Sequence, residues 1–253
     1  MDKTYMSKPL PGIRQLLVDS WRMFVATWGQ TTQITVWFLY IGLAFFATSL
    51  LTKLNPAAWF LEIPIQLAAV VISIWCNIRL MLALLNLVDG HKAGDLKTDS
   101  RRAWLMFVPL TIVGLCQGLA ILGGFVLLII PGIYLSVSLV YAQLIFVDQG
   151  LRSWQALSAS RELVRDRWWS VFWRNLVASL VMGVAMILIV FLILSVFTLV
   201  AGPNRFIVLS GTQKQDPLVN GATALLSSIL QAAFLPLVLG FQVRLYRLLQ
   251  KTR

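Results

Sequence analysis

The chain has 253 residues, of which 58% are hydrophobic and only 12% are charged, and its net charge at pH 7 is +11. A soluble domain is usually about 45–50% apolar and about 25% charged. The composition therefore excludes an ordinary soluble domain, a disordered chain and a disulfide scaffold, and it predicts an all-α integral membrane protein.

Six apolar segments follow one another along the chain, and together they predict a single polytopic membrane domain. A helix that crosses a hydrocarbon core of about 30 Å needs roughly 20 apolar residues. The charge-free window 103–147 would make a helix about 67 Å long, so Pro131-Gly132 is expected to divide it. We predict transmembrane helices at 34–52, 57–78, 104–129, 132–147, 175–201 and 220–243.

Two further stretches have an apolar face and a polar face at helical spacing, and they predict two interfacial amphipathic helices. The first covers 11–29 and is expected to turn into the first span. The second covers 152–173 and resembles the first at an offset of 140 residues. The matching positions are Gln15, Leu17, Ser20 and Trp28 with Gln155, Leu157, Ser160 and Trp168. These matches indicate a weak repeat of two parallel units around a central hairpin, and chance similarity of Trp-rich helices is the alternative.

The basic residues are distributed very unequally between the two sides of the predicted membrane domain. If the N-terminus is inside, the outer loops carry only Lys53, Arg205 and Lys214, and the other 18 of the 21 basic residues are inside. The positive-inside rule then places both termini in the cytoplasm. This asymmetry accounts for the net charge, so nucleic acid is not expected as a partner. Residues 1–22 are polar and predict no cleavable signal peptide.

Short motifs are concentrated in the middle of the chain and at its end. They are Pro131-Gly132-Ile133-Tyr134-Leu135, Phe146-Val147-Asp148-Gln149-Gly150, Ala156-Leu157-x-x-Ser160, Trp168-Trp169 and Val243-Arg244-Leu245-Tyr246-Arg247. Together they resemble the YciC-like family of bacterial six-span inner-membrane proteins. That family looks related to the membrane domain attached to some glycerophosphoryl diester phosphodiesterases. The resemblance implies a six-helix inner-membrane protein without an established biochemical activity, and its motif residues here are Pro131, Gly132, Asp148, Ser160 and Trp168.

The chain offers few groups for catalysis or metal binding. Its one histidine, His91, lies in a loop between Asp89 and Asp95. Gly- and Asp-rich loops are usually simple turns, and a zinc site would need more ligands than this. We therefore predict no metal, no cofactor and no enzymatic activity.

Two arginines, Arg79 and Arg244, are expected at the inner ends of their spans. They are interpreted as snorkelling anchors, or alternatively as ligands of lipid phosphate or partners of Asp148 and Glu162. The sequence thus predicts a non-enzymatic membrane protein with a role in lipid interaction, envelope maintenance or scaffolding, whose partners are anionic inner-leaflet lipids. The alternative is a small-molecule or lipid transporter.

Overall fold

A computed structural model describes residues 11–90, 96–201 and 217–252 of the chain. These residues contain eight α-helices and no strand. The helices are α1 Ile13–Leu54, α2 Glu62–Val88, α3 Leu96–Leu127, α4 Ile129–Ser138, α5 Ala142–Gln149, α6 Ser153–Arg165, α7 Trp168–Ala201 and α8 Pro217–Lys251, and a short 3-10 helix at Pro56–Leu61 follows α1.

In the part of the chain that the structure describes, six helical segments are long and apolar enough to cross a membrane, which confirms the predicted fold class. They are Thr31–Leu54, Ala57–Val88, Thr98–Leu127, Ile129–Gln149, Trp168–Ile193 and Val219–Lys251. The break predicted at Pro131-Gly132 falls three residues earlier, at Leu128, whose backbone is extended with φ −167° and ψ 155°. Pro131 instead lies in the first turn of α4, where a missing N–H costs no helical hydrogen bond.

The predicted interfacial helix 11–29 is the N-terminal part of α1, and α1 continues without the expected turn into the first span. The sequence between them contains no proline to interrupt the helix. The hydroxyls of Ser20 and Thr27 donate to backbone carbonyls one turn earlier, at 2.7 Å and 2.8 Å. The hydroxyls in this part of α1 therefore find their hydrogen-bond partners within the helix, and the helix continues without a turn.

Two other boundaries also differ from the sequence prediction. The fourth segment, predicted as one span over 132–147, is two helices, because residues Leu139–Tyr141 form a turn between α4 and α5. The second amphipathic helix, predicted over 152–173, ends at Arg165, and α7 begins at Trp168. The two members of the proposed repeat therefore differ. The helix is continuous between Ser20 and Trp28 in the first member, whereas it is interrupted between Ser160 and Trp168 in the second.

The described chain divides into two compact units. Unit 1 comprises the described residues within Met1–Gln30, Asn77–Ala178 and Leu237–Arg253, and unit 2 comprises those within Thr31–Cys76 and Ser179–Pro236.

Unit 2 contains a close approach of α1 and α8 through small residues. A Cβ atom added to Gly42 would lie 2.8 Å from the Cβ of Ser228, and one added to Gly221 would lie 2.7 Å from the Cβ of Ser49. Gly42 and Ser49 are seven residues apart on α1, and Gly221 and Ser228 are seven residues apart on α8. The two helices therefore run in opposite directions at this contact. Small residues at such positions let two membrane helices pack closely without a bulky side chain between them.

Unit 1 is organised around the C-terminal part of α2. Its residues from Ile78 to Leu85 are all buried, so this helix is surrounded by protein on every side. By contrast, α3 exposes a long apolar stripe, as expected for a surface that faces lipid. The stripe consists of Leu105, Val108, Ile112, Leu115, Leu119 and Leu122.

The amphipathic helix α6 turns its apolar face toward protein. Ala156, Leu157, Ser160 and Val164 are buried on that face, and α6 contacts α3, α4 and α5. Arg161 and Arg165 lie one turn apart and are exposed. The neighbouring helices therefore cover the face that the sequence suggested would lie in lipid.

Candidate functional site

An ion-pair cluster lies at the C-terminal end of α8, within unit 1. The two terminal nitrogens of Arg247 donate to the two carboxylate oxygens of Asp148, each at 2.7 Å. Nη2 also donates to Oδ2 of Asp89 at 2.6 Å. The side chains of Arg247 and Asp148 are only 15% and 16% exposed. We call Arg247, Asp148, Asp89 and Tyr246 the Arg247 cluster.

Tyr246 completes this cluster from inside the protein. Its ring is buried, and its hydroxyl donates to Oδ2 of Asp148 at 2.8 Å. The amide nitrogens of Gln149 and Gln250 in turn donate to the tyrosine hydroxyl. Asp148 therefore accepts hydrogen bonds from Arg247 and Tyr246, and charge-assisted bonds of this kind are among the stronger ones in proteins.

A cleft of about 210 Å³ opens beside Tyr246. Its apolar walls come from Ile145 of α5 and from α6, and its polar part comes from the two glutamines. The lining residues are Ile145, Gln149, Ala159, Leu163, Tyr246 and Gln250.

The four residues predicted from sequence as headgroup ligands or ion pairs lie in different surroundings. Arg244 pairs with Asp19 of α1 at 3.2 Å, with 31% of its side chain exposed. Arg79 is buried, at 5% exposure. Asp148 is in the Arg247 cluster, and Glu162 is exposed on α6. The ion pairs described for Asp148 and Arg244 thus involve Arg247 and Asp19, neither of which the sequence had suggested as a partner.

Ser160, one of the five motif residues, supplies hydrogen-bond partners to two backbone groups at the break between α4 and α5. Its hydroxyl donates to the carbonyl of Ser138 at 2.8 Å and accepts from the backbone N–H of Tyr141 at 3.3 Å. Ser160 is fully buried. Because a buried backbone group without a partner is costly, one serine on α6 allows the helix to break where it does.

The other motif residues also make structural contacts in unit 1. A Cβ atom on Gly132 would lie 2.5 Å from the ring of Phe125, so a larger residue there would displace this ring between α3 and α4. The indole of Trp168 stacks on Tyr134 with ring centroids 5.7 Å apart, and its Nε1 donates to the Tyr134 carbonyl. Together with Pro131 and Asp148, these residues shape the hairpin and its attachment to α6, α7 and α8.

Arg247 and Tyr246 are the site residues that the sequence interpretation did not single out, although both belong to the C-terminal motif. A signal for Arg247 was present, because Arg244 and Arg247 are three residues apart and therefore share a helix face.

Arg167 gives a further attachment of the C-terminal end of α8, since its Nη2 donates to the backbone carbonyl of Thr252 at 2.8 Å. The end of α8 is thus tied to α1, to the residue after α2, to α5 and to the α6–α7 junction.

The residues considered for metal binding are only partly described. His91 and Asp95 lie outside the described residues, whereas Asp89 is in the Arg247 cluster. Within the described ranges, no group of three His, Cys, Asp or Glu side chains is close enough to hold a metal ion.

The Arg247 cluster is a network of ion pairs and hydrogen bonds. Its carboxylates are held by a guanidinium, and the cluster joins chain segments that are far apart in sequence. Comparison of the chain with family models, curated proteins and solved structures gives no match.

Proposed function

We propose that this protein is a non-enzymatic component of the bacterial inner membrane that acts through contact with anionic lipid. Both termini are placed in the cytoplasm in this proposal, on the strength of the basic asymmetry. The resemblance to the YciC-like family supports the same location. The biological role would be lipid interaction, envelope maintenance or the scaffolding of a partner.

One observation carries this proposal: three aspartates of unit 1 form ion pairs with arginines, while further arginines remain exposed on its surface. Asp148 and Asp89 bind Arg247, and Asp19 binds Arg244. Arginines on α1, α3 and α6 are exposed, namely Arg14, Arg22, Arg101, Arg102, Arg161 and Arg165. A guanidinium matches the geometry of lipid phosphate, and each basic residue near an anionic surface contributes about 1 kcal/mol.

Of the two arginines expected to contact headgroups, Arg244 is the better placed. Almost a third of its side chain is exposed, and its partner Asp19 is itself 37% exposed. Arg79 is buried, so we assign it to the interior of unit 1. We add the adjacent pair Arg101 and Arg102, exposed at the N-terminal end of the apolar part of α3, as a second proposed headgroup contact.

Lipid binding to the purified full-length protein tests the proposal. Native mass spectrometry with phosphatidylglycerol and phosphatidylcholine should show preferential retention of the anionic lipid. The variant Arg101→Gln/Arg102→Gln is expected to lower that preference several-fold, and Lys53→Gln, a charge change on the opposite predicted side, is the control. Equal retention of the two lipids by the unmodified protein would overturn the proposal, as would an equal loss in the Lys53 control.

Arg244 has its own matched pair of variants. Arg244→Gln removes a charge but also breaks the ion pair with Asp19, whereas Asp19→Asn breaks the same pair and leaves the arginine in place. If Arg244 binds headgroups, only the first variant lowers the anionic preference. If both variants lower it equally, the ion pair acts structurally and Arg244 is not a lipid ligand.

A transport role is the alternative, and the cleft beside Tyr246 is the feature that bears on it. At about 210 Å³ it is smaller than the roughly 300–1,000 Å³ usual for ligand pockets. It also lies at the end of α8 that carries Arg247 rather than in the middle of a span. This cleft therefore gives no support to a transport role.

A further inference from the structure

The cleft beside Tyr246 has one apolar wall and one polar wall, and it lies within unit 1. Three apolar side chains form the first wall, namely Ile145 of α5 and Ala159 and Leu163 of α6. Three uncharged polar side chains form the second, namely Gln149, Tyr246 and Gln250. Sites for small molecules combine an apolar lining with a few polar groups that are fixed in place. The cleft has the first property, and the hydrogen bonds of Tyr246 give it the second.

Tyr246 fixes the orientation of both glutamine side chains. Its hydroxyl has a single proton, which is donated to Oδ2 of Asp148 at 2.8 Å. The tyrosine oxygen can therefore only accept hydrogen bonds from its other neighbours. Gln149 and Gln250 both turn their amide nitrogens toward it. The polar wall is thus held in one arrangement by the Arg247 cluster.

The two amide groups keep hydrogen-bonding capacity that remains for a ligand. Each amide nitrogen carries two N–H donors, and its bond to Tyr246 uses only one of them. The carbonyl of Gln250 is occupied, because it accepts from Nη1 of Arg247 at 2.8 Å. The carbonyl of Gln149 accepts no hydrogen bond from another described residue. The polar wall therefore offers donors and an acceptor together, which suits a group that both accepts and donates, such as an amide or an alcohol.

The charges that contact the polar wall favour a ligand without a charge of its own. None of the six lining residues is charged. Asp148 and Arg247, which bond to Tyr246 and Gln250, are paired with each other, and their side chains are only 16% and 15% exposed. An ion in the cleft would lose water without gaining an unpaired counter-charge, and burying a charge in that way is costly. A lipid phosphate is therefore a poor ligand for this cleft.

We propose that the cleft binds the polar end of a small uncharged amphiphile, an amide or an alcohol. The polar end bonds to the amide groups of Gln149 and Gln250. The adjoining alkyl chain packs against Ile145, Ala159 and Leu163. A complete ligand pocket usually measures about 300–1,000 Å³, whereas this cleft measures about 210 Å³. It therefore encloses the polar end and the first carbons of the chain, and the rest of the ligand extends through the opening.

Protection of a cysteine in the cleft tests the proposal in the full-length protein reconstituted into lipid nanodiscs. Ala159→Cys, in a background of Cys76→Ala and Cys116→Ala, places a thiol on the apolar wall, and its rate of alkylation by N-ethylmaleimide is measured. Ser158→Cys is the matched control, because Ser158 is the neighbouring residue of α6 and is exposed outside the cleft. Leu163→Cys repeats the measurement at a second lining position.

Three probes of one chain length separate the outcomes, namely octanamide, octanoate and N,N-dimethyloctanamide. Octanamide at saturation should slow alkylation of the Ala159→Cys thiol about five-fold or more, because a bound ligand is mostly enclosed by its pocket. Octanoate carries a charge and the dimethyl amide has no N–H to donate, so each should need a concentration about ten-fold higher for the same effect. The Ser158→Cys thiol should react at one rate throughout.

Equal protection by the three probes would show that the cleft only takes up alkyl chains, and it would overturn the proposal. Absence of protection by octanamide would overturn it as well. Failure of both lining thiols to react would mean that the cleft is closed, with the same consequence. None of these outcomes depends on whether the arginines contact anionic lipid.

A second variant tests the polar wall itself. Gln149→Leu, added to Ala159→Cys, removes the open acceptor and one donor at nearly constant side-chain volume. It should raise the octanamide concentration needed for half-protection about five-fold, whereas Gln15→Leu, which changes an exposed glutamine on α1, should leave it unchanged. Equal concentrations for the two variants would contradict the assignment of Gln149 to the ligand.

Discussion

Arg247 binds the carboxylate of Asp148 through two parallel hydrogen bonds of 2.7 Å, across 99 residues of sequence. This bidentate pair joins the last turns of α8 to α5, and Nη2 of the same arginine holds Asp89. The side chains of Arg247 and Asp148 are mostly buried, so the charge of each is stabilised by the other rather than by water. The pair is therefore one of the contacts that fix the C-terminal end of α8.

Removing one partner of this pair should destabilise the protein markedly. Arg247→Met leaves the carboxylate of Asp148 buried without its guanidinium, and breaking such a pair costs about 3–5 kcal/mol. Arg247→Lys keeps the charge but loses the planar fork, and we expect an intermediate loss. The measurement is thermal unfolding of the purified protein in detergent.

Lys251→Met is the control for this series, because Lys251 is exposed near the same helix end. Its unfolding temperature should match that of the unmodified protein. If Arg247→Met unfolded at the same temperature as Lys251→Met, the cluster would contribute nothing to stability and the prediction would be wrong.

Ser160→Ala should destabilise the break between α4 and α5. The carbonyl of Ser138 and the N–H of Tyr141 would both lose their partner in a buried place, at a combined cost of about 2 kcal/mol or more. Ser158→Ala is a matched control, because Ser158 is exposed and its hydroxyl bonds only within α6, to Gln155. Equal unfolding temperatures for the two variants would contradict the bridging role of Ser160.

Gly42→Ala should weaken the packing of α1 against α8. The new methyl group would meet the side chain of Ser228 at 2.8 Å, and overpacking of this kind typically costs about 1–3 kcal/mol. The second change Ser228→Gly should restore part of the loss, because it removes the atoms that the methyl group meets. Gly183→Ala, with nothing within 4 Å of its added Cβ, is the control. Absence of rescue by Ser228→Gly would show that the loss has another cause.

Reporter fusions test the predicted sidedness of the chain. A reporter that is active only outside the inner membrane should be active when fused after Lys53, and inactive when fused after Lys97 or Lys251. The physical reason is the retention of Lys and Arg on the cytoplasmic side. The opposite pattern would reverse the topology on which the proposed lipid contacts rest.

Local features of the sequence were sufficient to predict the helical membrane class and the number of apolar segments. Segment length, absence of charge and the Pro131-Gly132 pair each act over a few residues, so a linear inspection detects them. The position of the Leu128 break, three residues from its prediction, shows the usual uncertainty of a boundary. The continuity of α1 was missed because its polar hydroxyls bond within the helix.

Local features of the sequence predicted only part of the candidate site. Asp148 and Ser160 were singled out from their motifs, but their partners Arg247 and Ser138 were not. Which of two arginines on one face of α8 reaches Asp148 depends on the rotation and depth of that helix. These are set by its contacts with α1, with α5 and with Asp89, so no local pattern encodes them.

The sequence by itself thus determined that this chain is a membrane protein and where its charges lie, because hydrophobicity and charge are properties of single residues. Only the tertiary structure decided that Asp148 is held by Arg247, that Ser160 supports a helix break 22 residues away, and that Trp168 stacks on Tyr134 of α4. Each of these depends on the distance between segments remote in sequence. That distance is settled by the packing of whole helices, in which buried polar groups must find partners.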